Sequence, residues 1–466
     1  MHLPRPQIRF PHLPTAFTLP TAFLTGVLLT LCLPTLTPYF RPYLPFLYRS
    51  WRARNDDRDA IAGAGLRTGK RGRGRGITLE DHEIQAQEAE AEADSRDRGS
   101  KATADPKTER IGEGLESCVG NTPLFRIKSL SDATGCEILA KAEFLNGGGG
   151  SPKDRVALNM IKTAEQQDLL SPHTGDTIYE GTVGSTGISL ATVCRARGYK
   201  AHICMPSDVA SEKSELLLKL GATVERVQPA SIIDPDHFVN RARSLAARHT
   251  ADPIIPGRGY FADQFENEAN WLAHFEGTGP EIWRQCGGDL DAFVAGAGTG
   301  GTIAGVARYL KGEVGEGRVK IVLADPQGSG LYNKIKNGVM FNATEREGTR
   351  RRHQIDTIVE GIGINRVTAN LEAGIELIDD AIQVTDEEAL SMARWLVEKD
   401  GIFVGSSSCV NCFAAVKLAK AMGPGHRIVT ILCDSGTRHL SKFWAYAGDV
   451  NETTGNQVKE IFGQGG

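Results

Sequence analysis

The stretch AGAGTGGTIAG, residues 295–305, follows the apolar run DAFV and places a glycine-rich turn between a predicted strand and a predicted helix. Its glycines Gly296, Gly298 and Gly301 match the pattern G-x-G-x-x-G, and the next apolar run, VKIVLADP, reaches Asp325. A dinucleotide site has its ribose-binding acid at about this separation from the glycines. The stretch therefore supports two interpretations, a loop for the pyrophosphate of a dinucleotide and a loop for some other phosphate.

Outward from this stretch, short apolar runs alternate with helical patterns from about Ile111 onward. The predicted strands include EILAKAEF, DTIYEGTVG, KAHICMP and HRIVTILCDSG, and the predicted helices include KDRVALNMIKTAEQQ, STGISLATVCRARG and SEKSELLLKLG. Short strands that alternate with helices are typical of parallel sheets covered by helices on both faces. The predicted fold class is therefore α/β.

The overall composition is that of a globular protein without a nucleic-acid signature. The 466 residues carry a formal net charge of −4, so no nucleic-acid partner is expected. The nine cysteines show no paired spacing apart from Cys409 and Cys412, a lone C-x-x-C in the helical stretch CVNCFAAVKLAKAM. Without a second cysteine pair, reduced thiols in an intracellular protein are favoured over zinc or redox chemistry, and no metal ligand is expected in the site.

Residues 1–54 have a composition of their own, with six Arg, no Asp and no Glu. Their densest apolar part, TAFLTGVLLTLCLPTL at 21–36, is barely long enough to cross a hydrocarbon core. Three interpretations stay open: an arginine-flanked anchor in the mitochondrial outer membrane or another intracellular membrane, a cleaved mitochondrial presequence, and a secretory signal. Residues 55–110 are predicted to be a disordered charged linker, and residues 451–466 form a C-terminal tail.

A second glycine loop, GGGGSPKDRVALNMI, begins at Gly147 and leads into a helix that carries its apolar residues on one face. Lys153 therefore lies at a helix N-terminus, where the positive end of the helix dipole disfavours a protonated ammonium. A neutral amine is what Schiff-base formation with an aldehyde requires. Taken alone, the stretch favours an exposed lysine beside a flexible loop.

Two further loops carry hydroxyl groups between a strand and a helix. They read EGTVGSTGIS, residues 180–189, and GIFVGSSSCVN, residues 401–411. Hydroxyls and free backbone N–H groups at a helix N-terminus can hold a carboxylate or a phosphate. The same residues can also serve only as helix N-caps.

Together the four loops resemble the pyridoxal-phosphate-dependent enzymes of fold type II, the tryptophan synthase β-like fold. Within that class the chain resembles the cysteine synthase (O-acetylserine sulfhydrylase) and cystathionine β-synthase family, in particular its fungal membrane-associated branch. The similarity runs from IGEGLESCVGNTPLFRI to TILCDSGTRHLS, and its ordered markers are GNTPL, GSPKDRVALNMI, GSTGISLA, DQFENEANWLAHFEGTGPEIW, GAGTGGTIAG, EGIGINRV and VGSSSC.

The resemblance implies an architecture as well as a cofactor. The catalytic region would occupy residues 111–450 and contain two domains, each with a mostly parallel twisted sheet flanked by helices. The smaller domain, at about 156–260, would be inserted in the larger one. The cofactor would be pyridoxal 5′-phosphate, the substrates a small amino acid and sulfide, and the assembly a homodimer.

The resemblance also implies a role for each loop. Lys153 would hold the cofactor through a Schiff base and later move the substrate's α-proton, and Ser407, or one of the two adjacent serines, would bond the pyridine nitrogen. The 5′-phosphate would contact the residues of the opening loop, Gly298, Thr299, Gly300, Gly301 and Thr302. The substrate would contact Thr182, Thr186, Gln264 and Gly361. Asp325 would then end a strand near the site and hold no ribose.

The sequence departs from the family's pattern at a few positions. The family's loop T-S-G-N-T-G reads TVGSTG here, so Val183 replaces a serine and Ser185 replaces an asparagine. That asparagine bonds the cofactor's phenolic oxygen in the family, and Ser185 is expected to take over only part of the role. The glycine loop before Lys153 has one extra residue, and Cys409 replaces a glycine and is expected to crowd the pyridine side. We expect these departures to affect the cysteine synthase activity more than the fold or the binding of the cofactor.

The implied reaction is a β-replacement in which L-cysteine forms from O-acetyl-L-serine and sulfide. A serine at the pyridine nitrogen fits this reaction, because it cannot keep that nitrogen protonated and so favours β-elimination over transamination. Three alternatives stay open: a cystathionine β-synthase-like enzyme, a serine or threonine dehydratase, and a membrane-tethered pyridoxal-phosphate-binding protein that has lost catalysis. The second substrate stays open as well, as sulfide, a thiol or homocysteine.

Overall fold

Ten β-strands organise the part of the chain described by the computed structural model, residues 111–209, 211–315, 317–341 and 357–448. The strands are β1 Leu124–Arg126, β2 Glu137–Ala142, β3 Thr177–Gly181, β4 Lys200–Pro206, β5 Thr223–Val227, β6 Gly259–Phe261, β7 Ala292–Gly296, β8 Lys320–Pro326, β9 Asp380–Val384 and β10 Arg427–Leu432. The predicted segments 1–54, 55–110 and 451–466 lie outside the described residues. Within the described residues, no helix has the length and apolar character needed to span a membrane.

The strands form two sheets. The larger sheet has the order β1-β2-β10-β7-β8-β9, and the smaller sheet has the order β5-β4-β3-β6. Only β1 and β2 pair in an antiparallel direction, and all other pairs are parallel. The predicted α/β class with mostly parallel sheets is confirmed. The smaller sheet uses strands between residues 177 and 261, close to the predicted 156–260 domain, and the domain boundaries themselves stay a prediction.

Helices cover both sheets. They are α1 Lys128–Thr134, α2 Lys153–Gln166, α3 Ser185–Ala196, α4 Ser211–Lys219, α5 Phe238–Ala251, α6 Ala269–Ala273, α7 Gly279–Gln285, α8 Gly301–Ala307, α9 Leu331–Asn337, α10 Ala369–Glu372, α11 Asp386–Asp400, α12 Ser406–Met422 and α13 Phe443–Ala447. Two π-helical turns, His274–Thr278 and Arg308–Glu313, continue α6 and α8. All described residues belong to one compact unit, Glu109–Gly466.

The core of the larger sheet explains why its strand β7 is apolar without interruption. Val294 packs in the cluster that contains α12, whereas its neighbours Phe293 and Ala295 pack in the cluster that contains α8. Because successive side chains of a strand point to opposite faces, a strand covered on both sides must be apolar at every position. The run DAFVAG therefore forms a central buried strand.

The parallel arrangement determines where the loops of the sequence meet. The opening glycine loop follows β7, the loop 182–187 follows β3, the glycine loop before Lys153 follows β2, and Cys433 follows β10. Parallel strands end at the same edge of a sheet, and open α/β folds bind ligands at that edge. The loops after β2, β7 and β10 are thereby directed toward one edge of the larger sheet, and the loop 182–187 of the smaller sheet reaches them where Ser185 contacts Asp434.

Candidate active site

Lys153 is the first residue of α2, as predicted, and follows Pro152 at the helix N-cap. Burial lowers the pKa of its ammonium group, and the charge of a Cys433 thiolate would oppose that shift. The sequence argument relied on the helix dipole, whereas burial is the larger cause in the folded structure. Both effects favour a neutral amine at this position.

Asp154 organises the glycine loop that precedes Lys153. Its carboxylate accepts hydrogen bonds from the backbone N–H groups of Gly149 and Gly150, at 2.6 and 2.8 Å, and from the Ser189 hydroxyl at 2.6 Å. A Cβ at Gly149 would lie 2.9 Å from Oδ1 of Asp154. Glycine is therefore required where the loop closes on this carboxylate, and the loop, in turn, positions Lys153.

Arg155 fixes the beginning of α2 from the opposite side. Its guanidinium contacts Glu143 and Glu281, each at 2.7 Å, and Lys141 contacts Glu281 at 2.6 Å. Burial alone would raise the pKa of Glu281, but its hydrogen bonds to Arg155 and Lys141 lower it to about 2. Two cations and two anions are thus paired inside the protein, and Thr122 of the GNTPL motif donates to Glu143 at 2.6 Å.

The opening glycine loop packs against its surroundings so closely that side chains would not fit. A Cβ at Gly298 would lie 2.3 Å from the carbonyl oxygen of Gly361, and a Cβ at Gly301 would lie 2.0 Å from Oδ1 of Asn270. Gly300 has a φ of 83°, in the left-handed region that favours glycine. The backbone of this loop is therefore held in position, as a phosphate-binding turn requires.

The two threonines of this loop are held by residues that the sequence argument did not single out. Nδ2 of Asn270 donates to Oγ1 of Thr299 at 2.9 Å, and Nε2 of His274 lies 3.2 Å from Oγ1 of Thr302. Burial lowers the pKa of His274 well below its usual value, and the charge of Lys153 lowers it further. His274 is therefore neutral, and it lies near enough to Lys153 for the charge of the lysine to affect its pKa.

Among the three serines at the start of α12, Ser407 differs from its neighbours. Ser406 accepts a hydrogen bond from the Glu360 N–H at 2.9 Å, and Ser408 accepts one from the Cys433 N–H at 2.8 Å. Ser407 instead bonds to the Cys433 thiol, whose pKa is raised to about 12 by burial although Ser407 and Lys153 oppose the shift. This arrangement supports Ser407 as the serine that faces the site with Lys153.

Two residues of the predicted substrate loop, residues 182–187, make hydrogen bonds within the protein. The Thr186 hydroxyl donates to Oε1 of Gln264 at 2.6 Å, and Oγ1 of Thr182 accepts from the Gly184 N–H at 3.3 Å. Nδ2 of Asn270 also donates to the carbonyl of Gln264, at 2.7 Å. Because Asn270 contacts Thr299 as well, this single amide joins the substrate loop to the glycine loop.

Ser185 contacts a cluster of charged side chains that lies beside the candidate site. Its hydroxyl lies 3.4 Å from Oδ2 of Asp434, and Nε2 of His439 lies 3.1 Å from both Asp434 oxygens. Nδ1 of His439 is 3.4 Å from Glu360, which Lys213 of α4 contacts at 2.8 Å. Burial would lower the pKa of His439, but its hydrogen bonds to Asp434 and Glu360 raise it to about 9.

The structure also places three other residues that the sequence analysis named: Gly361, Asp325 and Cys409. Gly361 has a φ of 86° and packs its carbonyl against the glycine loop. Asp325 is buried and accepts a hydrogen bond from the Tyr332 N–H at 2.6 Å, so it stabilises the start of α9; burial raises its pKa to about 7. Cys409 is fully buried in the apolar core with Cys412, and the cysteine that contacts Ser407 is Cys433.

The fold and this convergence of loops define a class of enzyme. The family model described as pyridoxal-phosphate dependent enzyme matches residues 115–434, and the chain belongs to this family. It is 68% identical over 360 residues to a protein of Emericella nidulans named cysteine synthase 2, covering 75% of this chain and 84% of that protein.

Two further comparisons agree with this class. The chain is 54% identical over 344 residues to the Saccharomyces cerevisiae protein named "Putative mitochondrial cysteine synthase", covering 73% of this chain and 86% of that one. A crystal structure of O-ureido-L-serine synthase superposes with a TM-score of 0.62 at 29% identity, covering 75% of this chain and 100% of that chain. The chain is therefore a pyridoxal-phosphate-dependent enzyme with close relatives named as cysteine synthases.

Proposed function

We propose that this enzyme forms L-cysteine from O-acetyl-L-serine and sulfide by β-replacement at Lys153. The observation that carries the proposal is the electrostatic interaction of the buried Lys153 side chain with His274, which contacts the glycine loop, and with Cys433, which contacts Ser407. This arrangement occurs in a chain that is 68% identical to a cysteine synthase 2.

The described residues fit pyridoxal 5′-phosphate as the cofactor. Gly361 and Asn270 pack so tightly against the glycine loop that a Cβ at Gly298 or Gly301 would overlap them. The backbone N–H groups of the loop are the groups that would hold a phosphate. The residues proposed to hold the 5′-phosphate are Gly298, Thr299, Gly300, Gly301 and Thr302. Ser407 is proposed to bond the pyridine nitrogen, and Ser185 the phenolic oxygen in part.

Lys153 has the chemistry that the reaction requires. When bound, pyridoxal phosphate supplies an electron-withdrawing ring that stabilises negative charge on the α-carbon of an amino acid. Burial lowers the pKa of Nζ of Lys153, so the amine can attack an aldehyde and can later accept the α-proton. Cys433 is a neutral thiol at pH 7 because its pKa is about 12, and it therefore does not hold Lys153 in the charged form.

The substrate carboxylate is proposed to lie against the loop 182–187, with Gln264 and Gly361 beside it. Hydroxyls and backbone N–H groups of Thr182, Ser185 and Thr186 are its hydrogen-bonding groups. Val183 offers no side-chain hydrogen bond, and its side chain is exposed. The loop therefore lacks the side-chain hydrogen bond that the family's serine provides at position 183.

A product assay tests the proposed reaction. The purified, cofactor-loaded protein is given O-acetyl-L-serine or L-serine, each with sulfide, with homocysteine or alone. Cysteine from O-acetyl-L-serine and sulfide is expected to form with the highest kcat/KM. Cystathionine as the main product, or a keto acid without the second substrate, would favour a cystathionine β-synthase-like enzyme or a dehydratase. No product from any pair would indicate a binding protein that has lost catalysis.

We propose a mitochondrial destination for the N-terminal segment, with residues 1–54 as an outer-membrane anchor. Two observations support it: the stretch 10–40 contains no Asp, Glu, Lys or Arg between flanking arginines, and a relative carries a mitochondrial name. An anchored protein resists extraction of membranes with alkaline carbonate. Release by carbonate would contradict the anchor, and a mature N-terminus beyond Arg54 would indicate a cleaved presequence instead.

The enzyme is proposed to be a homodimer, as the family resemblance implies. Sedimentation of the cofactor-loaded protein at micromolar concentration measures the mass directly. A monomer mass across the concentration range would exclude the dimer.

A further inference from the structure

Three side chains with metal-binding chemistry meet on the smaller sheet, apart from the proposed cysteine synthase site. His202 and Cys204 lie on β4, and Glu225 lies on β5 directly opposite Cys204. One donor atom of each residue lies within 4.8 Å of the others. Because positions two apart on a strand point to the same face, the sequence H-x-C directs both side chains toward Glu225. We propose that these three residues bind one Zn²⁺ ion.

The donor atoms suit zinc. Imidazole nitrogen, thiolate sulfur and carboxylate oxygen are its usual ligands, at about 2.0–2.3 Å. Ligands at these distances in a tetrahedral site are roughly 3.5 Å apart, so side-chain movements of about 1 Å would close the site. A site with both a thiolate and an imidazole selects zinc over the hard cations Mg²⁺ and Ca²⁺.

His202 provides an observation that the protein's own contacts do not explain. Its Nε2 atom is buried and makes no hydrogen bond, and the nearest carboxylate oxygen, Oε2 of Glu225, is 3.6 Å away. A buried polar atom without a partner costs free energy. The Nε2 lone pair is therefore available to a metal ion that also contacts Glu225. Tyr179 stacks on the ring with centroids 4.9 Å apart and restricts its orientation.

Arg241 of α5 is compatible with this site. Its Nε atom contacts Oε1 of Glu225 at 2.6 Å, whereas Oε2 is the oxygen nearer to His202. Carboxylates that bind metals are commonly held in this way by a second hydrogen bond. If Cys204 binds as a thiolate, the charges of Zn²⁺ and Arg241 exceed those of the two anionic ligands by one positive charge.

Solvent can reach one side of the site. Cys204 is fully buried, but the side chains of His202 and Glu225 are 17% and 28% exposed. Water can therefore fill the fourth position of a tetrahedral zinc ion. This site could not be predicted from the sequence, because its ligands come from two neighbouring strands and lack a recognised spacing.

Zinc binding to the full-length, cofactor-loaded protein tests the proposal. Protein freed of metal by a chelator receives Zn²⁺, the bound metal is counted, and its ligands are identified by X-ray absorption. We expect one zinc with one sulfur at about 2.3 Å, and binding at least about tenfold weaker, without sulfur, in Cys204→Ala. Cys118→Ala removes an exposed thiol and is the matched control, which should bind as the wild type does.

The proposal is overturned if no zinc binds at micromolar concentration, or if the sulfur signal persists in Cys204→Ala. The visible absorbance of the cofactor verifies that each variant is folded. Should Cys204→Ala not fold, His202→Asn keeps the thiol and removes the nitrogen ligand, and an unchanged zinc affinity in that variant would overturn the proposal equally.

Discussion

At the scale of single residues, the groups next to Lys153 are neutral. Burial raises the pKa of Cys433 to about 12 and lowers that of His274 well below its usual value. Neither neighbour carries a charge that would hold Lys153 as an ammonium ion. The pKa of Lys153 is therefore governed mainly by its burial, which favours the neutral amine.

The altered substrate loop gives the first prediction. Restoring the family residues with Val183→Ser and Ser185→Asn should raise kcat/KM for O-acetyl-L-serine by at least about tenfold, because one hydrogen bond to a charged group contributes about 1.5–3 kcal/mol. Val183 is exposed, so a hydroxyl can be introduced without disturbing the core. Steady-state kinetics measure the effect, and Val183→Ala, which adds no hydrogen bond, is the control.

An unchanged or lower kcat/KM in the double variant would show that the loop suits a different substrate. The assignment would then become a pyridoxal-phosphate enzyme of β-elimination or replacement whose substrate is unspecified.

The three serines of α12 give the second prediction. Ser407→Ala should weaken cofactor binding by up to about tenfold, since a neutral hydrogen bond contributes about 0.5–1.5 kcal/mol, and should lower the stability of the cofactor-free protein by no more than about 1 kcal/mol through loss of its bond to the Cys433 thiol. Ser408→Ala should instead lower that stability by about 1–3 kcal/mol, because the buried Cys433 N–H loses its acceptor. Cofactor titration and urea unfolding measure the two effects. The reverse pattern would place Ser408 in the site and Ser407 in the scaffold.

Sequence and structure agree best for residues whose roles are local. Lys153 and the glycine loop could be predicted because a helix start and a tight turn are determined by adjacent residues. Asp434 could not, because Ser185 lies 249 positions earlier in the chain and only the pairing of distant strands brings the two together. Asn270 and His274 were within a family marker, but their contacts to the glycine loop depend on the tertiary fold.

At the scale of elements, one charged cluster joins segments from both sheets. It comprises Asp434 and His439 after β10, Glu360 in the loop before α10, and Lys213 on α4. Lys442 also approaches Glu360, at 3.5 Å. Burial would raise the pKa of Glu360, but its bonds to His439 and Lys213 hold it well below its usual value. His439 is consequently a cation between two carboxylates.

This cluster gives the third prediction, a dependence of stability on pH. The pKa of His439 rises from 6.5 to about 9 in the folded protein. Its contribution to stability is therefore complete below about pH 6.5 and is lost as the pH rises through 9. The advantage of the wild type over His439→Asn should shrink by up to about 3 kcal/mol across this range.

Urea unfolding at pH 6.5 and 9.5 measures this advantage. His426→Asn is the matched control, because His426 lies immediately before β10 and its Nδ1 atom bonds the backbone carbonyl of Gly423, and its difference from the wild type should vary less. If the stability difference from the wild type changes equally with pH for His439→Asn and His426→Asn, that result would contradict a charged His439 in the cluster.

At the scale of the whole molecule, the alternation of strands and helices was enough to predict parallel sheets covered on both faces. It could not predict the strand order, in which β10, the last strand in the described residues, lies between β2 and β7. That order places Cys433 and Asp434 beside Lys153 and Ser185. The sequence therefore indicated which loops carry chemistry, whereas the fold determines which of their residues meet.

The central claim is that the loops form one pyridoxal-phosphate site whose reactive amine is Lys153. Reducing the cofactor-loaded protein with borohydride fixes the cofactor to the lysine that holds it, and mass spectrometry of the digested protein identifies that residue. The account predicts a single modified peptide that contains Lys153, and no visible cofactor absorbance in Lys153→Ala. Modification at another lysine, such as Lys213 in the neighbouring charged cluster, or a reducible cofactor that persists in Lys153→Ala, would contradict it.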